Sequence, residues 1–553
     1  MGMSSKGGSP AWLYAGLAAA LMCGVSTAAL AAPAKGASAT AASEAKLQSM
    51  QQQLDDMRAQ LNAMRSASGA PDPRLSAVQQ QLEAMAAQLA DMKAQQDTAT
   101  SSIATLQMAP QGGTTTASLP NGKPALASAD GRFTANIKAI LMLDAGKYYQ
   151  HNNLPAQVTN RDLNDGYNFR RARFGIDGKL FRDFDYSFIY EFGGSGQEDP
   201  GRLYEAAITY TYLKPFRFKV GAFEPNIGLA AAVSTSQMPL MERPAPAEVA
   251  RNVAAGDSRV AFQISANDVI GAGDTGIAAR WMISSAYTAN IIATGSSAAS
   301  ATTQPFDEQN AVIARATIAP FYSTDWQAHF GVNYQYVLHP NDQLGNPVGA
   351  ATGVRYPSQL RDRPELRLDG TRLVDTGAID SRHTEVFGVE GAFMTGPAMI
   401  EGEWFHYKID RRFITATTVP DPHFTGWYVQ GSWMLTGESR VYNPVEARFD
   451  APKLNYSFNP EAGTWGAFEL AARYSDLDLN YHEGNPGTTP AAALGAVRGG
   501  EQKIYTVGMN WYLNPSMRVM VDFQHVKIDR LGATGLQVGQ TYNALAARGQ
   551  VNF

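Results

Sequence analysis

From residue 131 to the end of the chain, apolar and polar positions alternate with a period of two in segment after segment. Phe133, Ala135, Ile137, Ala139, Leu141 and Leu143 fall on one face, and Arg132, Thr134, Asn136, Lys138 and Asp144 on the other. Phe184, Tyr186, Phe188, Tyr190 and Phe192 alternate with Asp185, Ser187 and Glu191. Trp326, Ala328, Phe330, Val332, Tyr334 and Tyr336 alternate with Gln327, His329, Asn333 and Gln335. A period of two sends successive side chains to opposite faces of a strand. Soluble sandwiches also alternate, but their strands are usually about five or six residues long and their apolar face packs on a second sheet. The runs here are longer and carry aromatics at their ends, as tilted membrane strands do. Short connections at Phe181-Arg182-Asp183, Leu213-Lys214-Pro215, Ala319-Pro320 and Leu513-Asn514-Pro515 contrast with long polar ones at 151–166 and 340–380. The pattern predicts an all-β fold, a transmembrane antiparallel β-barrel over 131–553, with short turns at one end and long loops at the other.

The last strand places Leu545, Ala547, Gly549, Val551 and Phe553 on one face and Arg548, Gln550 and Asn552 on the other. Its final aromatic resembles the signal by which barrel-assembly machinery captures outer-membrane proteins.

Upstream the period changes. Leu47, Met50, Leu54, Met57, Leu61 and Met64 follow steps of three and four, and after Pro71-Asp72-Pro73 the register resumes with Leu75, Val78, Leu82, Met85, Leu89 and Met92. This is the seam of an α-helical coiled coil over 32–110 that self-associates, because so narrow a stripe buries little area alone. The Gly, Thr, Ser, Ala and Pro of 111–130 read as a flexible linker. Lys6, the apolar stretch from Ala11 to Val25 and the small residues Ala29 and Ala31 make 1–31 a signal peptide. Cys23 lies inside that leader, preceded by Leu21 and Met22 rather than by the small residue that lipidation requires.

Composition removes several function classes. The 553 residues carry a net charge of −5, with lysines and arginines scattered, so nothing points to nucleic acid. The single cysteine leaves the mature chain without a disulfide or a thiolate metal site. The eight histidines are dispersed, and no metalloprotease spacing, nucleophile elbow or phosphate loop occurs. His406, His423 and His525 read as wall residues rather than ligands. The chain is thus expected to be no enzyme, with no catalytic residue, metal or cofactor.

Several stretches after residue 131 resemble, in order, the phosphate-selective porin O and P family. They are Phe-Arg-Arg-Ala-Arg-Phe-Gly at 169–175, Val-Gly-Ala-Phe-Glu-Pro-Asn-Ile-Gly-Leu at 220–229, Met-Glu-Arg at 241–243, Gly-Trp-Tyr-Val-Gln at 426–430, Leu-Thr-Gly-Glu-Ser-Arg at 435–440, Glu-Leu-Ala-Ala-Arg-Tyr-Ser at 469–475 and Gly-Met-Asn-Trp-Tyr-Leu at 508–513. The resemblance implies a trimeric barrel of about 16 strands in the outer membrane, an arginine ladder in the pore wall and a third external loop folded inward. The periplasmic side would then hold the coiled coil.

Rings or ladders of cations on a lumen face replace part of an anion's hydration shell without trapping the ion. Parity turns Ala172, Phe174, Ile176 and Leu180 toward lipid and Arg171, Arg173 and Lys179 toward water. Arg170 matches the family's paired arginines although parity directs it outward. Segment 226–257 is the expected constriction loop, carrying Arg243 and Arg251 with Glu242 and Glu248. Arg361, Arg363 and Arg367 resemble another arginine-bearing part of the family pore. Ala231 and Ser236 stand where phosphate-selective members carry lysines, and Ile140 occupies the ladder position of the first strand. The expectation is passive diffusion of small anions, with phosphate or polyphosphate as candidates. The alternative is a weakly selective general porin whose coiled coil also tethers the outer membrane to the cell wall.

Overall fold

The computed structural model describes residues 115–119, 123–150, 162–193, 201–256, 258–271, 279–292, 307–322, 326–343, 354–412, 419–489 and 495–553. The expected signal peptide and coiled coil lie outside the described residues.

Sixteen long antiparallel strands form the wall. They are β1 (Thr134–Tyr149), β2 (Gly166–Leu180), β3 (Phe184–Glu191), β4 (Arg202–Tyr210), β5 (Phe216–Phe223), β6 (Arg259–Ile270), β7 (Ala279–Ile291) and β8 (Asn310–Tyr322). The wall continues with β9 (Trp326–His339), β10 (Ile379–Thr395), β11 (Ala398–Arg411), β12 (His423–Met434), β13 (Ala467–Tyr481), β14 (Val497–Asn514), β15 (Met517–Asp529) and β16 (Thr541–Asn552). Each pairs with its neighbour in sequence, and β16 pairs with β1, Asn543 opposite Tyr149 and Asn552 opposite Ile140, so the sheet closes. Closure satisfies every ladder without a free edge, which is what lets strands span a membrane.

The alternation sorts as expected. On β2, Phe174 is 52% exposed, whereas Arg171 and Arg173 face the lumen and are buried. On β9, Phe330 and Val332 are outward while His329, Asn333 and Gln335 are buried. So much exposed aromatic and aliphatic surface is unsuited to water and suited to lipid.

Three departures follow from local geometry. In β2, Met142 faces Arg171 and Leu143 faces Phe169, so Arg170 is the extra residue of a β-bulge. The bulge resets parity, and Arg170 and Arg171 both turn inward and are buried. Ala319-Pro320 is not a turn: it lies within β8, at a register shift between Ile318 and Phe321 that accommodates proline's missing N–H. The stretch 111–130 is not linker throughout. Thr116–Ser118 pairs with Ala125–Ala127, which pairs with Thr134 to Asn136 of β1. β1 extends further toward the short-turn end than β16 does. Phe553 accepts from Ala139 N–H and Pro124 from Ile137 N–H, so the ribbon satisfies the backbone of β1 where the last strand stops.

Three segments fill much of the lumen. Segment 224–258, between β5 and β6, carries the one-turn helix α1 (Leu229–Ala232) and helix α2 (Ala245–Ala254). Proline at the cap position, Pro244, and Pro246 in the first turn suit the start of α2, whose missing N–H bonds cost nothing there. Ala247, Ala250 and Ala254, spaced three and four apart, are buried. The first two pack with Tyr407, Phe424, Tyr428 and Leu477 in an apolar cluster on the inner wall. The long connection 340–378 adds Leu360, Leu366 and Leu373 to that cluster. From the opposite end, 435–466 forms a hairpin of Arg440–Asn443 with Arg448–Pro452, whose Tyr442, Ala447 and Phe449 pack with Leu229.

Candidate functional site: an arginine-rich lumen

Among the described residues, two large cavities lie beside these inserted segments. The upper one, toward the long loops, measures about 670 Å³ and the lower one, toward the short turns, about 730 Å³. Among the described residues, nine arginines and two acids, Glu248 and Asp362, line the upper cavity. Six of those arginines were expected from sequence: Arg170, Arg171, Arg251, Arg361, Arg363 and Arg367. Arg202, Arg259 and Arg372 were missed. Arg259 was recoverable, since it shares parity with the inward-facing Gln263 on β6.

The remaining expected residues lie lower. Arg173 and Arg243 line the lower cavity with Lys123, Lys138, Lys219 and Arg448, against Asp177, Glu205, Glu224 and Glu446. Ala231, Ser236 and Ile140 border the same cavity. Lys179 sits at the rim, paired with Asp185 across 2.6 Å and half-exposed.

Alternating buried charges hold the inward segments to the wall. Arg548 of β16 clamps Asp144 of β1 through Nε and Nη2 at 2.6 and 2.7 Å, and its Nη2 reaches Glu242 Oε1 at 2.6 Å. The other bonds to Glu242 come from Arg170, Nε at 2.7 Å and Nη2 at 2.9 Å. Burial alone would raise the Glu242 carboxyl, but the guanidiniums of Arg170 and Arg548 hold it well below the usual carboxylate range. On α2, Glu248 and Arg251 stand one turn apart at 3.3 Å. Arg251 also pairs with Glu224 at 2.5 Å and Arg367 with Glu248 at 2.9 Å. Glu191 of β3 serves two of the three lumen arginines of β2, Arg173 at 2.6 Å and Arg171 at 3.8 Å. Arg173 in addition stacks on Tyr204, its Cζ 3.4 Å from the ring centroid.

Arg243 has a different role from that of a free pore cation. Its guanidinium donates to the carbonyls of Ala230, Ala231 and Val233 and so braces α1. The Nε of Arg363 donates to Gly370 O within the long loop, while Arg361 is exposed at the cavity edge. On the far side of the lumen, Glu403 accepts from the N–H groups of Leu229 and Ala230 at 2.7 and 2.9 Å. Gly228, at φ +63°, makes this approach possible, since a Cβ there would stand 2.5 Å from Glu403 Oε1.

The described lumen thus combines an arginine-rich long-loop end with ion pairs that tie the inward segments to the wall. Among known proteins, the model of the phosphate-selective porin O and P family matches residues 143–553. Porin O of Pseudomonas aeruginosa is 26% identical over 378 residues, covering 67% of this chain and 79% of that protein. An uncharacterized protein of Caulobacter vibrioides is 24% identical over 444 residues, 78% of this chain and 76% of the other. Among solved structures, the outer membrane channel DcaP of Acinetobacter baumannii aligns at 12% identity and a TM-score of 0.41, covering 76% of this chain and 97% of that one.

Proposed function

The chain belongs to the phosphate-selective porin O and P family, and we propose that it is an outer-membrane porin giving passive diffusion to small anions. The observation that carries this reading is the upper cavity, where nine arginines face two acids. Taken as the external vestibule, it concentrates anions at the entrance, and the low-dielectric wall strengthens that field. Arg170, Arg171, Arg173, Lys179, Arg243, Arg251, Arg361, Arg363 and Arg367 act in it unequally: those paired with acids set the geometry, and those without a carboxylate contribute net charge.

Phosphate and polyphosphate fit the guanidinium chemistry, which binds oxyanions through two parallel bonds. Ala231 and Ser236 stand where the family likeness implies lysines, although Lys123, Lys138 and Lys219 line the same lower cavity. A second reading, a broad and weakly selective pore, draws support from the acids Glu191, Glu242 and Glu248 beside the arginines. Liposome swelling decides between them. The anion channel admits a small organic anion several times faster than a cation of equal size, and the broad pore admits both alike.

The rest of the chain completes the proposal. Residues 1–31 direct export, Phe553 presents the last strand to the barrel-assembly machinery, and the protein works as a homotrimer. The coiled coil of 32–110 lies in the periplasm, where it stabilises the trimer or grips the cell wall. Deleting it and measuring trimer lifetime against envelope attachment separates those two roles.

A further inference from the structure

We propose that Arg259 is the oxyanion-binding residue of the upper cavity, a site apart from the acid-paired arginines around Glu242, Glu248 and Glu191. The proposal rests on the anion-porin reading above. Arg259 opens β6 at the long-loop end of the wall, opposite Phe223 of β5 and Ile291 of β7. It lines the upper cavity and is only 7% exposed.

Its surroundings differ from those of its neighbours. Arg170, Arg171, Arg251 and Arg367 each have a carboxylate within 4.0 Å. Among the described residues Arg259 has only backbone carbonyls as partners: Nη1 reaches Ala289 O at 3.3 Å, and Nη2 reaches Asn252 O at 3.4 Å and Val253 O at 3.5 Å. These contacts are long for charge-assisted bonds, which are usually about 2.7–2.9 Å. Its Nε is buried and has no hydrogen-bond partner among the described residues.

A buried ion without a counter-charge is costly, and a guanidinium does not escape that cost by losing its proton. The carbonyls of Asn252 and Val253, in the last turn of α2, orient the group, but they supply only partial charge. A mobile oxyanion in the cavity supplies the rest, through the planar fork that matches phosphate or carboxylate.

A purely structural role has a different signature. If Arg259 only caps α2, its removal loosens the inward loop and raises conductance for cations and anions together. The test uses the purified full-length protein in planar bilayers, with inorganic phosphate and potassium chloride as the probes, comparing wild type with Arg259→Gln and Arg259→Lys. We expect Arg259→Gln to raise the half-saturating phosphate concentration about tenfold and to lower chloride-over-potassium permeability. Arg259→Lys keeps the charge but loses the fork, so it preserves most of the permeability ratio while phosphate saturation still weakens. If Arg259→Gln does not assemble, the lysine variant alone decides, since phosphate saturation equal to wild type overturns the site. Unchanged saturation in Arg259→Gln, or an equal rise in both ion conductances, also overturns it. A wild-type channel that prefers potassium defeats the anion-porin reading itself, whereas an anion-selective wild type with an indifferent Arg259→Gln defeats only this inference.

Discussion

Arg170 donates to both carboxylate oxygens of Glu242, Nε to Oε1 across 2.7 Å and Nη2 to Oε2 across 2.9 Å, joining wall strand β2 to the inward loop. Arg548 shares the same carboxylate. Glu242→Gln therefore takes the paired carboxylate from the buried Arg170, while Arg548 keeps Asp144. The expected cost is about 3–5 kcal/mol, the usual penalty for breaking a buried pair. It is read as a lower temperature for the heat-induced mobility shift on gels. Any channels that assemble should be more anion-selective than wild type, and a fall in chloride-over-potassium permeability contradicts the account.

Asp362 is expected to make the selectivity of the pore depend on pH. It stands on the long loop, outside the spanning strands, and faces the upper cavity. Burial pushes its carboxyl up to about 7, opposed by Arg367 and reinforced by Glu248. Below that pH the group is neutral, and above it adds a negative charge to the vestibule. Anion selectivity should consequently decline from about pH 6 to about pH 8, with the midpoint near the shifted carboxyl value. Asp362→Asn should abolish the decline, and a variant that retains it places the titrating group elsewhere.

Gly228 allows the inward loop to seat on Glu403. Alanine at 228 meets both a positive φ of +63° and the Glu403 carboxylate, at 2.5 Å from the new Cβ. Gly228→Ala should lower stability by about 1–3 kcal/mol, as strained backbone does. Displacement of α1 should also enlarge single-channel conductance. Thermal unfolding and bilayer recording on the same preparation check both effects.

Arg315 links three parts of the lumen. It pairs with Glu390 of the wall at 2.7 Å, donates to Asn226 of the inward loop, and donates to the carbonyls of Glu446 and Ala447 in the opposing hairpin at 3.0 and 2.9 Å. Arg315→Ala removes one anchor from each inserted segment and leaves Glu390 with His329 but without its guanidinium. A larger, noisier conductance is expected, together with destabilisation of about 3–5 kcal/mol. Wild-type conductance with wild-type thermal stability would remove Arg315 from the account.

The wall was legible because each strand has two unlike sides, lipid and lumen, and period two records that contrast residue by residue. Parity failed where the backbone departs from ideal pairing. The extra residue at Arg170 turns two consecutive arginines inward, and no alternation predicts that. Pro320 within β8 has the same kind of explanation. The inserted hairpin of 435–466 was not legible, because its anchors are distant in sequence. Arg440 meets Glu469 across 2.8 Å, and Asn226 meets Glu446 across 3.0 Å although 220 residues separate them. The arginines were found by type and family pattern, but their partners were not, for the same reason. Glu242 lies 72 residues from Arg170 and 306 from Arg548. Sequence named Glu242 and Glu248 beside Arg243 and Arg251, but not the pairings of Glu242 with Arg170 and Arg548.

The central claim is that the lumen prefers anions, because arginine outweighs acid at its long-loop end. Its most direct test is the reversal potential of the purified full-length protein in a planar bilayer with a potassium chloride gradient. The account predicts a potential displaced toward the chloride equilibrium value, more strongly at low salt, where screening is weakest. A reversal potential at zero or on the potassium side would contradict it.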